Sequence, residues 1–218
     1  MKAAARAKAF RRLALLAVLA LATACGTGAP RLERPTDSIL AVAGFSNPRN
    51  TWELLAGYLP EQSAPVDERV INELDLVLGE ALREEGLAFV SEPTVGQCQD
   101  VVSREPSERP RMAALRHWLK VGGCVPADYL LVPQVLYWQE RAGGEWGTDA
   151  PASVVMDFFL LDVRNEAILG RYKFEETQQP LSANLLDVDK FVSRGGKWVS
   201  AQELAREGIE EAIKELGL

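Results

Sequence analysis

Histidine is almost missing from this chain, with His117 the one histidine among 218 residues. Covalent catalysis brings a nucleophile, a base and an orienting group together, so a single imidazole leaves little to build with. A serine turn of the G-x-S-x-G kind is absent too. Arg194-Gly195-Gly196-Lys197 is followed by Trp198, where a phosphate-binding loop needs Ser or Thr. Cysteine is scarce at three residues, and Cys98, His117 and Cys124 match no compact zinc spacing. No catalytic residue, metal or cofactor is therefore expected. Asp157 stands in mid-strand with Val155 and Phe159 on one face and no second carboxylate to work with, so it is expected on a solvated sheet face.

Long apolar runs are also lacking. Residues 13–22 are greasy, but a permanent membrane helix needs about 20 such residues. What precedes them is basic: Lys2, Arg6, Lys8, Arg11 and Arg12, with no acidic residue. Thr23 and Ala24 follow as small residues. Basic, apolar and small segments in that order make a secretory signal over residues 1–24, which contributes nothing to the fold.

The cut can be read in two ways. Ala22-Thr23-Ala24 suits ordinary signal peptidase. Leu21-Ala22-Thr23-Ala24-Cys25 also resembles the lipobox of bacterial lipoproteins, with the leucine one place further upstream than usual. The expectation taken forward is lipidation of Cys25. It leaves an even pair, Cys98 and Cys124, expected to join as a disulfide in an oxidising compartment, the alternative being two buried thiols. Closing that interval would stabilise the fold by roughly 3 kcal/mol in the chain-entropy model. Gly26, rather than Asp, follows the modified cysteine, which in the familiar enterobacterial lipoproteins implies the outer membrane.

Without residues 1–24, 19 basic residues stand against 31 acidic ones and the net charge is −12. Such a surface disfavours nucleic acid and electrostatic adhesion to anionic lipid. Membrane attachment would come from acyl chains on Cys25.

Residues 25–37 are rich in Gly, Pro and charge and read as a tether. Residues 38–218 suit one α/β (α+β) domain with a mixed sheet of about five strands in the order β-α-β-α-β-β-β-α. Residues 38–45 are apolar on both alternations, as in a strand covered on both faces. Val70, Ile71, Leu74, Val77, Leu78, Ala81 and Leu82 mark a helix ended by Gly86. A short strand follows at 87–91, then an irregular polar stretch to Pro110, then a helix over 111–121 stopped by Gly122-Gly123. Residues 128–140, 152–163 and 167–176 predict an antiparallel meander, with Pro133 calling for a bulge or an edge. Ser200 to Glu203 forms a capping box for a last helix that stops at Gly217.

This order resembles the α/β domain shared by the amino-terminal part of TolB, the penicillin-binding-protein activator LpoB and the curli secretion lipoprotein CsgG. Residues 39–47 match a first strand ending in Phe and Asn, Ala127-Asp128 matches the Ala-Asp that opens a later strand, and Asp162 matches the Asp before a hairpin turn. The resemblance covers residues 38 to 216. Segments 47–65, 92–110 and 178–199 have no counterpart in it, and the pore-building strands of the curli protein are missing. It implies a periplasmic accessory domain that binds other envelope proteins.

Aromatic side chains are favoured interface anchors, and Tyr137, Trp138 and Trp146 lie at or near a Gly-rich loop. They are the candidate partner-binding residues. Trp52, Tyr58 and Trp198 read as core or lid. The leading function is a lipid-anchored, periplasm-facing adaptor or activator, not an enzyme. The alternatives are a small-molecule or glycan-binding lipoprotein and an oligomeric component of an envelope secretion assembly.

Overall fold

The computed structural model describes residues 37–61, 64–104, 114–143, 150–178 and 199–218. The signal segment, Cys25 and nearly all of the tether lie outside the described residues, as do Trp146 and residues 194–198. Five strands form one mixed sheet: β1 (Leu40–Val42), β2 (Phe89–Val90), β3 (Tyr129–Gln139), β4 (Ser153–Asp162) and β5 (Ala167–Thr177). Their order across the sheet is β2-β1-β3-β4-β5. β1 runs parallel to both neighbours, while β3, β4 and β5 form the expected antiparallel meander. Four helices cover it: α1 (Glu68–Glu84), α2 (Glu92–Arg104), α3 (Ala114–Cys124) and α4 (Ala201–Glu215).

The sheet divides the core into two layers. On one face α1 and α4 bury Leu74, Leu78, Leu82, Leu204, Ile209 and Ile213 against Val154, Met156, Phe158 and Phe174. On the other, α2 and α3 bury Val95, Val102, Trp118 and Val121 against Leu130, Val132, Phe159 and Leu161. β4 is buried at every position, which is why its sequence is apolar on both alternations. At Gly208, an added Cβ would come within 2.6 Å of the Phe174 ring, so the bare backbone lets α4 settle onto β5. Gly122 allows the same approach of α3 to Val163, again at 2.6 Å.

The expected end of α1 at Gly86 and the expected capping box of α4 are both present. Ser200 and Glu203 complete the reciprocal capping box of α4. Asp67 accepts the Arg69 amide at the start of α1, and Gly86 follows its end at φ 75°.

Three expectations are corrected. The polar stretch from Glu92 is a helix through Arg104, because Val95, Cys98 and Val102 make a narrow buried stripe and Pro93 falls in the first turn, where its missing N–H is not needed. α3 continues through Gly122 and Gly123 to Cys124 instead of stopping at them. Pro133 lies in a central strand, and the bulge falls later, between Val135 and Tyr137. Its carbonyl accepts from Ser46 on the β1 side, so its absent N–H falls where that ladder is interrupted between Ala43 and Ser46.

Cys98 and Cys124 are joined by a disulfide with their Cα atoms 5.8 Å apart, tying α2 to α3. Among the described residues no helix is long and apolar enough to cross a membrane.

Candidate functional site

The α2–α3 layer covers only part of its sheet face. The remainder lies under the segment between β1 and α1, which is held down at several points. Asn47 Nδ2 donates to the Val135 carbonyl at 2.7 Å and its Oδ1 accepts the Val66 amide at 3.2 Å. The short turn at Thr51–Glu53 closes on the Glu53 carboxylate, which accepts from the amides of Arg49 and Asn50 and from Asn50 Nδ2. Burial alone would raise the Glu53 pKa, but these bonds outweigh it and hold the carboxyl below its ordinary value. The Glu53 carbonyl in turn accepts from Gln134 Nε2 at 3.0 Å.

Leu54 and Leu59 fill the space beneath, against Leu136 and Val155. Trp52 and Tyr58 therefore point outward, 38% and 74% exposed, so the reading of these two as core is wrong, although their segment does form a cover. Lys173 of β5 stands 5.6 Å over the Tyr58 ring.

Asp157 lies under this cover, fully buried, and a solvated position is excluded. Arg171 Nε and Nη2 reach its two carboxylate oxygens at 3.0 and 2.9 Å, a bidentate pair. The Asp157 carboxylate holds the Arg171 guanidinium above its ordinary pKa. The guanidinium also lies over the Phe159 ring at 5.5 Å and against Gly57, whose φ of 84° and lack of Cβ admit it. Opposite Asp157 in register stands Gln134, buried, whose Oε1 meets no partner among the described residues.

A second polar cluster lies at the opposite end of β3, where the chain enters the domain. A cavity of about 320 Å³ is lined by Asp37, Ser38, Asp128, Tyr129, Asp162, Arg164 and Asn165. Two of its carboxylates are committed: Asp128 accepts the Ile39 amide and pairs with Arg164, while Asp162 takes both the backbone and side-chain N–H of Asn165.

Of the sequence-nominated anchors, Tyr137 and Trp138 are both half-buried but lean to opposite faces. Tyr137 packs beside Leu136 and Val155, and Trp138 against the α1–α4 layer. Their polar tips reach Gln139 Oε1 and Glu140 Oε1. Ala142 and Ala150 exchange two backbone bonds and close the base of the loop that carries Trp146. His117 is half-buried at an edge-on contact with Trp118, its pKa lowered first by burial and then by Lys120. The disulfide leaves no thiolate at Cys98 or Cys124, and no group of three His, Cys, Asp or Glu side chains is placed to hold a metal among the described residues.

One carboxylate pair has no counterpart in the sequence reading. Asp75 and Glu92 crowd onto the Cα of Gly44 at the end of β1, and Asp75 Oδ1 accepts the Phe45 amide at 2.6 Å. Burial, then the Glu92 charge, push the Asp75 pKa up to about 6 against that hydrogen bond. Sequence alone could flag it only through the polar Asp75 placed among the buried positions of α1.

No protein-family model matches the chain, and no curated protein matches it in sequence. Three solved structures illustrate what its fold is similar to. The PelC dodecamer from Paraburkholderia phytofirmans is 19% identical with a TM-score of 0.47, over 88% of this chain and 94% of that one. The LpoB C-terminal domain from Salmonella enterica is 13% identical with a TM-score of 0.41, over 68% and 88%. Lipoprotein GNA1162 from Neisseria meningitidis is 16% identical with a TM-score of 0.38, over 73% and 98%.

Proposed function

We propose that this protein is a lipid-anchored adaptor or activator of the cell envelope, exported through residues 1–24, acylated on Cys25 and facing the periplasm. The observation that carries the reading is the order of basic, apolar and small residues that ends at Cys25. Its disulfide suits the same compartment. Gly26 after the cysteine favours the outer membrane.

Binding of another protein, rather than chemistry, is favoured by where the polar groups are spent. The paired carboxylates and guanidinium of the interior brace strands and loops, whereas Trp52 and Tyr58 stand in solvent. Exposed aromatics on a braced surface suit an interface. Trp138, eight residues beyond the first buried position of β3, lies about 26 Å from the chain's point of entry at the rise of an extended strand. The tether adds up to about 40 Å if extended. A partner well away from the bilayer is within reach.

Photo-crosslinking in the native envelope tests this, with a photoreactive residue at position 52, 58, 138 or 146 and with Cys25→Ser as the unanchored control. The expected result is a discrete adduct from one or more positions that weakens when the chain is released from the membrane. Absence of adducts from every position would remove the adaptor reading. Glycan binding is the second reading, favoured by the exposed Tyr58 and Trp52 rings as stacking platforms. Retention of the protein on immobilised envelope polysaccharide, lost in Tyr58→Ala, would prefer it.

A further inference from the structure

α2 is the helix least able to stand on its own. Its 13 residues include Thr94, Val95, Val101 and Val102, whose branched side chains lose freedom in a helix, together with Gly96 and Ser103. An isolated helix shorter than about 12–15 residues is marginal in water even when its sequence is favourable. Packing gives α2 little more, since Val95 and Val102 are its buried residues, against five in α1 and seven in α4. It lies along α3 and over β1, in the apolar layer that holds Ala41 and Ala43.

The Cys98–Cys124 bond fastens this weak helix, and its two ends differ in access. Cys98 is half-buried in the layer of Val95 and Val102, whereas Cys124, the last residue of α3, is exposed. Gly123 beside it is exposed too, and a Cβ there would meet nothing within 4 Å. An incoming thiolate therefore has open ground at Cys124. The leaving charge is also better placed on Cys98, because Cys124 sits at the negative end of the α3 dipole.

We infer that the Cys98–Cys124 disulfide is a redox latch: an exported dithiol reductant opens it from the Cys124 side, and α2 then comes away while the rest of the domain stays folded. The reductant's thiolate attacks Cys124 Sγ and forms a mixed disulfide there, the old S–S bond breaks, and Cys98 leaves as a thiolate that takes up a proton. The reductant's second thiol, as thiolate, then attacks its own sulfur in the mixed disulfide and releases Cys124. The dithiol is thereby oxidised to a disulfide, and the protein gains two electrons and two protons. Freed of the link, α2 gives up its place and leaves Ala41, Ala43 and the flank of α3 uncovered. β1 keeps its ladders to β2 and β3, and Trp118 and Val121 keep α3 on the sheet, so the surface gained is apolar and its frame intact. The latch works the same way whatever the domain binds, and it stands or falls apart from the adaptor reading.

The test uses the intact chain in detergent without denaturant. Dithiothreitol should reduce the bond at a rate proportional to its concentration, and glutathione should be trapped as a mixed disulfide on Cys124, located by peptide mass. After reduction, α2 amides should exchange on the order of a hundred-fold faster, the closure of a loop of this length expressed as an equilibrium ratio, while those of β3 and β4 stay protected. Cys98→Ala combined with Cys124→Ala should show the same exchange pattern with no reductant present, which separates loss of the link from any effect of the reagent. A reduction rate that levels off at the unfolding rate, however much dithiothreitol is added, would mean that the bond opens only in the unfolded chain and would overturn the latch. So would glutathione trapped on Cys98, α2 amides as protected after reduction as before, or protection lost from α2, β3 and β4 together.

Discussion

Arg171 reaches from the outermost strand to grip Asp157 of the neighbouring one, and it is the fully buried carboxylate, not the part-exposed guanidinium, that depends on the contact. In water either charge is content alone. Under the cover of residues 54–59 the carboxylate has no solvent to fall back on, so the cost of losing the pair is set by what is left behind.

Arg171→Met should therefore destabilise the domain by about 3 kcal/mol or more, the usual consequence of leaving a buried charge unpaired. The double variant Asp157→Leu with Arg171→Met should recover much of that loss. Urea unfolding of the three proteins measures it, and a double variant no more stable than Arg171→Met would show that the contact is not an isolated pair.

Reduction of Cys98–Cys124 should lower stability by roughly 3 kcal/mol, as expected for a loop of this length. Hydrogen exchange should quicken first in α2, whose buried stripe is the thinnest of the four helices. The intact protein should also weigh about 2 Da less than its reduced form, a loss of two hydrogens that mass spectrometry resolves directly. A mass matching two free thiols would end the matter.

Asp75 supplies a pH dependence whose sign can be worked out. Its folded pKa, about 6, lies above the ordinary 3.8, so the fold favours the protonated form. Its contribution is complete below about pH 4 and is lost as the pH rises through 6. Asp75→Asn keeps an acceptor for the Phe45 amide and removes the charge. It should raise Tm by roughly 2–4 °C at pH 7, the shift that about 1 kcal/mol gives in a domain of this size, and by nothing near pH 4. Thermal melts across that range decide it; an offset that ignores pH would refute the account.

Gly208→Ala should destabilise by about 1–3 kcal/mol although alanine is the better helix former, because the new methyl meets the Phe174 ring and Met156. Pairing it with Phe174→Leu should relieve some of the loss in the same denaturation assay.

Much of this architecture was readable because its elements are long and regular. Leu74 to Leu82 and Leu204 to Ile213 repeat at helical spacing, and the alternation of β3 to β5 is bounded by clear turns. α2 escaped notice because only three of its apolar residues, one of them a cysteine, fall on the inward stripe, while Val101 faces solvent and blurs the helical spacing. Asp157 was misplaced for a different reason. Its partner lies in the next strand, and only the register after the displaced Leu169 brings Arg171 opposite Phe159 and within reach. Trp52 and Tyr58 inverted the usual expectation: Leu54 and Leu59 took the sheltered places, and hydrophobicity alone does not tell which apolar residues of a loop will win them. The Asp75 and Glu92 pair depends on the parallel crossover from β1 to β2, a relation no local pattern contains.

The way the chain enters the sheet bears on how it would carry tension. Ile39 and Asp128 lock β1 at its start, between two parallel neighbours, so a pull from the amino-terminal side is directed along β1 rather than across it. Strands dragged lengthwise must slip with many bonds yielding together, whereas strands peeled sideways come away bond by bond. A domain moored by its leading end and loaded at the far end of β3 would thus resist force in its stronger direction.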